Sequence, residues 1–167
     1  KKCLIMNNSG NLRIDYYSDL DQHDKIHLNK EINNIVRNSD SVVTIGHNIE
    51  LLNILSSSFG YGNDIVLISE NNSLQGFIPI NIIGNKAVSI PHFSYGGYLG
   101  LKELTLEQTE LLLQSLKRKY NNYFIRDFKQ ITNYFYDEKV SCFLELQKDA
   151  ESQFSRFNSR LRNQIRK

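Results

Sequence analysis

The sequence predicts an α+β domain, a mixed and largely antiparallel sheet flanked by helices. Three observations carry that expectation. Two β-branched runs in mid-chain are joined by a short polar loop, and amphipathic segments with capping residues lie on either side of them. The length of 167 residues is that of one domain able to bury a core.

Taken in order, "LRIDYY" (Leu12 to Tyr17) alternates as a first strand. The segment Asp24 to Asn38 carries Ile26, Leu28, Ile32, Ile35 and Val36 on one helical face. "SVVTI" (Ser41 to Ile45) is a short β-branched run. A second helix follows, with Asn48 as N-cap, Ile49, Leu52, Leu55 and Phe59 at helical spacing, and Gly60 as its stop. "DIVLISE", "NNS" and "LQGFIPINIIG" form a hairpin, and Pro79 within it marks an edge or bulge because it cannot donate to a ladder. "KAVSIP" adds a short strand. Leu104 to Tyr120 is the clearest helix, with Thr105 as N-cap, Gln108 completing a capping box and Lys117, Arg118 and Lys119 at its C-terminal end. "NYFIRDF" and "KVSCFLEL" are read as further strands, with a turn region at Thr132–Lys139 between them. Residues 150–167 are read as one helix with Phe154, Phe157, Leu161 and Ile165 along a face.

Composition narrows the class. At 40% apolar and 23% charged residues the chain is ordinary for a folded globular domain. No apolar run is long enough for a membrane span and no signal-peptide pattern opens the sequence, so a cytoplasmic location is expected. Cys3 and Cys142 are far apart and form no metal-binding pair, which fits a reducing compartment without a disulfide. The formal net charge is +2, but it is unevenly placed. Arg156, Arg160, Arg162, Arg166 and Lys167 face the single acid Glu151 in the last eighteen residues, and the rest is slightly acidic on balance. That pattern suits a local anion site rather than a broad nucleic-acid footprint.

Candidate sites are few. In "SIPHFSYGGYLG", Gly96 and Gly97 permit positive φ or close approach of a ligand, and Tyr95 and Tyr98 offer hydroxyls to a sugar, phosphate or peptide. A sheet-edge turn with two packed tyrosines explains the same residues. His92 is an acid or base if it faces a cleft, and otherwise a packed, hydrogen-bonded histidine. His23 and His27 are four residues apart on a helix but lack a third metal ligand, so they read as surface residues and no metal is expected. His47 reads as a helix-start residue. Asp15, Asp127 and Glu145 form no identifiable pair, Cys142 reads as core, and no nucleophile elbow surrounds any serine. Arg162 and Arg166 make an i, i+4 guanidinium pair suited to phosphate.

Three stretches in this order, "GHNIELLNILSSSFGY", "NDIVLISENNSLQGFIPINIIGNKAVSIPHFSYGGYLG" and "SRLRNQIRK", together resemble the FemAB family of aminoacyltransferases. The likeness runs from Leu12 to Lys167. It implies a GNAT-like fold and acyl or aminoacyl transfer to an amine on a cell-wall or polysaccharide precursor. It also implies that residues 1–167 are one GNAT-like domain, the N-terminal half of a two-domain protein, with 150–167 leading into an absent second domain that packs on it. On this view Tyr95, Gly96, Gly97, Tyr98, His92, Arg162, Arg166 and Lys167 contact a phosphate-bearing or lipid-linked acceptor. The donor in the full protein is acyl-CoA or aminoacyl-tRNA, and this chain holds no cofactor of its own. The catalytic residues remain unassigned. The acyl-CoA turn of GNAT enzymes is missing, because Gly96–Gly97 does not open a helix, so acyl-CoA binding by this half is not expected. The alternative class is a non-catalytic module that binds a nucleotide-sugar, a tRNA end or a protein.

Overall fold

The structure, a computed structural model, describes residues 12–127 and 147–165. The chain divides into two compact units, Lys1–Tyr134 and Phe135–Lys167. The expected strand "KVSCFLEL", the turn at Thr132–Lys139, both cysteines, Arg166 and Lys167 lie outside the described residues.

In the first unit, β1 (Leu12–Tyr16), α1 (Gln22–Asn38), α2 (Ile49–Phe59), β2 (Gly62–Glu70), β3 (Ser73–Ile83), β4 (Lys86–Val88), β5 (Leu99–Gly100), α3 (Leu106–Tyr120) and β6 (Asn122–Phe124) follow one another. The sheet order is β1-β2-β3-β4-β6, and β5 also pairs with β3. Every pairing is antiparallel except β4–β6, which is parallel and connected through α3. This is the α+β class that the sequence predicts.

Helices cover both faces of the sheet. On one, Leu28, Ile32 and Ile35 of α1 and Leu52 and Leu55 of α2 pack with Ile65, Leu67 and Phe77. On the other, Leu112 and Leu116 of α3 pack with Val66, Ile68, Ile78, Ile80 and Ala87. The two sets alternate along β2 and β3, as the period of two in a strand requires. Phe59 and Ile26, expected on the buried helical faces, are instead exposed.

Local chemistry sets most boundaries. Asn48 Oδ1 accepts from the amides of Glu50 and Leu51 at the start of α2, and Gly60 ends it at φ +68°. Thr105 and Gln108 form the reciprocal capping box of α3. Asn71 and Asn72, both at positive φ, make the turn between β2 and β3.

Four features differ from expectation. Pro79 is neither on an edge nor at a bulge: it pairs with Ile65 inside β3, and the register shift lies at Ile68/Ser69. It is tolerated because β5 pairs at Gly76–Phe77 and β4 at Asn81–Ile83, which leaves Pro79 opposite a gap on that side. The β-branched run Ser41–Ile45 joins no strand, and Val42, Val43 and Ile45 are exposed. Leu99–Gly100, which the sequence does not single out, is a strand. In the second unit the expected single helix is two, α4 (Ala150–Arg156) and α5 (Ser159–Ile165). Phe157 turns extended, and Asn158 Oδ1 then accepts from the Leu161 amide at 2.9 Å, a local cap that competes with helix continuation.

Candidate functional site around the Tyr-Gly-Gly-Tyr segment

The parallel pair β4–β6 gives the sheet a place where two chain segments leave side by side from carboxyl ends, the position where open sheets build their ligand crevices. The Ser89 amide donates to the Phe124 carbonyl at 3.0 Å and the Arg126 amide to Ser89 Oγ at 2.7 Å, so the two exits stay joined. Beyond β4 the chain turns sharply. Ile90 and His92 sit at φ +45° and +72° on either side of Pro91. Left-handed backbone at non-glycine residues costs about 1–3 kcal/mol each, most for a β-branched side chain such as Ile90.

The Tyr95–Tyr98 segment then returns between two partners. The Gly96 amide donates to the Arg126 carbonyl at 3.1 Å and the Tyr98 amide to Asp127 Oδ2 at 2.9 Å. On the other side Thr44 Oγ1 donates to the Tyr95 carbonyl at 3.0 Å. Neither Gly96 nor Gly97 has positive φ; among described glycines only Gly60 and Gly84 do. The pair serves close approach instead. A Cβ on Gly96 would lie 2.7 Å from Ile90 Cγ1, and one on Gly97 2.7 Å from Asp127 Cγ. What approaches these glycines is the protein itself.

The tyrosines differ. Tyr98 lies across the paired Gly76 and Gly100, where any added Cβ would overlap its ring. Its hydroxyl donates to the Lys102 carbonyl at 3.1 Å, and burial, followed by the Glu70 charge, holds its pKa well above the usual phenol range. That is a packing role. Tyr95 is half-buried, with its backbone carbonyl tied to Thr44.

His92 is exposed. Its Nε2 lies 3.1 Å from the Tyr61 hydroxyl, and the two rings are nearly parallel, with an interplanar angle of 12°. Phe59 stacks on both, at 5.5 Å from Tyr61 and 4.9 Å from His92.

Three further residues complete the cluster. His47, in a short 3-10 turn at Ile45–His47, is 3% exposed and meets Phe77 edge-on. Its Nδ1 accepts from the Thr44 amide at 3.0 Å, so Nε2 carries the proton of the neutral ring. Nε2 is buried with no partner at bonding geometry. Burial lowers the His47 pKa, and the opposing influences of Asp127 and the Gly97 backbone do not overcome it. Asp127 binds the Tyr98 amide, and Arg126 Nη1 donates to the Phe93 carbonyl at 2.7 Å. The sequence reads His47 only as a helix-start residue; the signal that could have marked it is the Thr44-x-x-His47 spacing of a cap. Arg126 and Asp127 fall within the expected strand "NYFIRDF", but the observed strand ends at Phe124 and both lie just past it.

The structure thus brings His92, Tyr95, Gly96, Gly97 and Tyr98 into one loop with His47, Arg126 and Asp127. Arg162, in the second unit, is half-buried and donates from Nη1 to the Ser155 carbonyl at 3.2 Å. His23 and His27 lie exposed on α1, their ring centroids 5.1 Å apart. No group of three potential metal ligands occurs among the described residues. A separate shallow groove is lined by Lys30, Glu31, Asn34, Ser73, Leu74 and Leu101, none of them in the loop. Among the described residues no helix is long and apolar enough to cross a membrane. No family model, curated protein or solved structure matches the chain.

Proposed function

We propose that this chain is the GNAT-like N-terminal half of a FemAB-type acyl- or aminoacyltransferase. It acts in the cytoplasm, together with a second domain, on an amine of a cell-wall or polysaccharide precursor. The observation that carries the reading is the seating of the Tyr-Gly-Gly backbone at the carboxyl ends of the parallel pair, fixed by Arg126, Asp127 and Thr44. The order of the three family-like stretches supports it. Attack of an amine on an activated acyl carbonyl chiefly requires positioning and stabilisation of the oxyanion, which a rigid loop with oriented backbone groups suits. The acceptor is phosphate-bearing or lipid-linked, and the donor is acyl-CoA or aminoacyl-tRNA engaged with the second domain. The test is transfer of labelled acyl or aminoacyl groups to amine acceptors by the longer native chain. No transfer from either donor class overturns the proposal.

One observation favours the second reading, a binding module for a nucleotide-sugar, tRNA end or protein. Phe59 is 56% exposed and stacks on the Tyr61–His92 pair, offering a planar apolar surface. Binding of a nucleotide-sugar that is lost in Phe59→Ala, with no transfer by the longer chain, would select it.

A further inference from the structure

We infer that Arg126 is the seat of a phosphate oxyanion at the carboxyl ends of β4 and β6. The inference rests on the transferase reading only for the identity of the molecule that carries the phosphate. Arg126 lies just past β6 and is half-buried. Its guanidinium carbon is 5.5 Å from the Phe124 ring centroid, Nη1 donates to the Phe93 carbonyl, and Nε is buried without a partner. Arg13–Asp15, Lys102–Glu70 and Lys119–Asp19 are ion pairs among the described residues, and Arg126 takes part in none of them. Even the adjacent Asp127 is directed elsewhere, accepting from the Tyr98 amide.

Burying a guanidinium N–H without an acceptor is costly, and native proteins rarely leave such a donor unmet unless something else completes it; Arg126 Nε is such a donor on an otherwise half-buried side chain. Here the geometry is held. Phe93 belongs to the loop whose left-handed Ile90 and His92 keep its carbonyl on the guanidinium. The planar fork is therefore oriented on one side and retains most of its donors. Those donors match a phosphate, whose several acceptor oxygens can take more than one N–H at once. The basic helix at 159–165 is not needed for this contact.

The test titrates inorganic pyrophosphate into the full chain and follows binding calorimetrically and through the Arg126 Nε–Hε resonance. Wild type should bind, with affinity falling as salt rises. Arg126→Met should weaken binding by about tenfold or more, the loss of a charge-assisted contact. Arg126→Lys, which keeps the charge but not the fork, should recover only part of it. Arg37→Met, an exposed α1 arginine, should bind as wild type does. If a variant at Arg126 does not fold, the wild-type resonance still decides, because an unmoved Nε–Hε at saturating pyrophosphate overturns the inference. Equal binding by folded Arg126→Met also overturns it. Pyrophosphate binding through Arg126 in a longer chain that transfers nothing would retain the site and remove the transferase reading. Transfer without a role for Arg126 would do the reverse.

Discussion

Tyr120, the last residue of α3, donates its hydroxyl to Asp64 Oδ2 at 2.8 Å and so fastens the helix end to β2. Asp64 is 2% exposed, yet its carboxylate is fully engaged. It also accepts from the Ser18 amide and hydroxyl and from the Ile65 amide. Lys119 joins the same knot through Asp19 and lies over the Tyr16 ring. Tyr120→Phe removes one donor from a buried carboxylate and should cost about 1–3 kcal/mol by urea denaturation.

The same hydroxyl sets a limit at high pH. Burial, followed by the Asp64 charge, raises the Tyr120 pKa above that of the unfolded chain, near 10. A group whose folded pKa is raised contributes stability that is present below the unfolded pKa and lost as pH rises toward the folded one. Stability should therefore decline above about pH 10, and less steeply in Tyr120→Phe. Identical slopes in the two proteins would refute the linkage.

His47 works in the opposite direction. Its folded pKa is lowered by burial, so its contribution is present above the unfolded value of about 6.5 and is lost as pH falls below it. Protonation also removes the lone pair that receives the Thr44 amide. Urea midpoints between pH 5 and 7.5 should fall with pH in the wild type, and His47→Gln should flatten that dependence. A His47→Gln protein with the wild-type slope would exclude His47 as its source.

Gly97→Ala should destabilise by about 2 kcal/mol or more, since the new Cβ meets the Asp127 carboxylate while the backbone on both sides is hydrogen-bonded. Adding Asp127→Ala should recover part of the loss, because it removes the carboxylate atoms and leaves only the Asp127 Cβ, at 2.8 Å, in the way. By contrast Gly84→Ala, at φ +60° in open space, should cost only about 1 kcal/mol for its backbone conformation. Thermal denaturation of the four proteins separates crowding from backbone strain.

Asn72→Gly should stabilise the hairpin by about 0.5 kcal/mol. Asn71 and Asn72 both have positive φ, and Asn-Gly suits such a turn better than Asn-Asn. A lower urea midpoint would contradict this.

Elements governed by neighbours in sequence were legible. Asn48, Gly60, Thr105 and Gln108 act within one helical turn, so α2 and α3 could be bounded from the letters alone. The reason for Gly97 was not, because Asp127 lies some thirty positions away and only the β4–α3–β6 crossover brings it near. Pro79 misled for a similar reason: the gap that tolerates it depends on where β4 and β5 pair, which no local pattern encodes. Ser41–Ile45 has strand composition but no partner strand among the described residues. The C-terminal stripe of apolar residues hid the competing cap at Asn158. Arg126 cannot be told from a surface arginine by its letters, because the Phe93 carbonyl that orients it lies 33 positions away.

The contacts that hold the Tyr-Gly-Gly backbone carry a kinetic consequence. The bond from Tyr98 to Asp127 spans 29 residues and that from Thr44 to the Tyr95 carbonyl spans 51. The first cannot form until α3 has carried the chain back beside β4, and the second closes over α2 and strands β2 to β4, so both close long loops and should form after the local hairpin and helices. Closure of the Tyr98–Asp127 bond thus reports that the β4–α3–β6 crossover is in place.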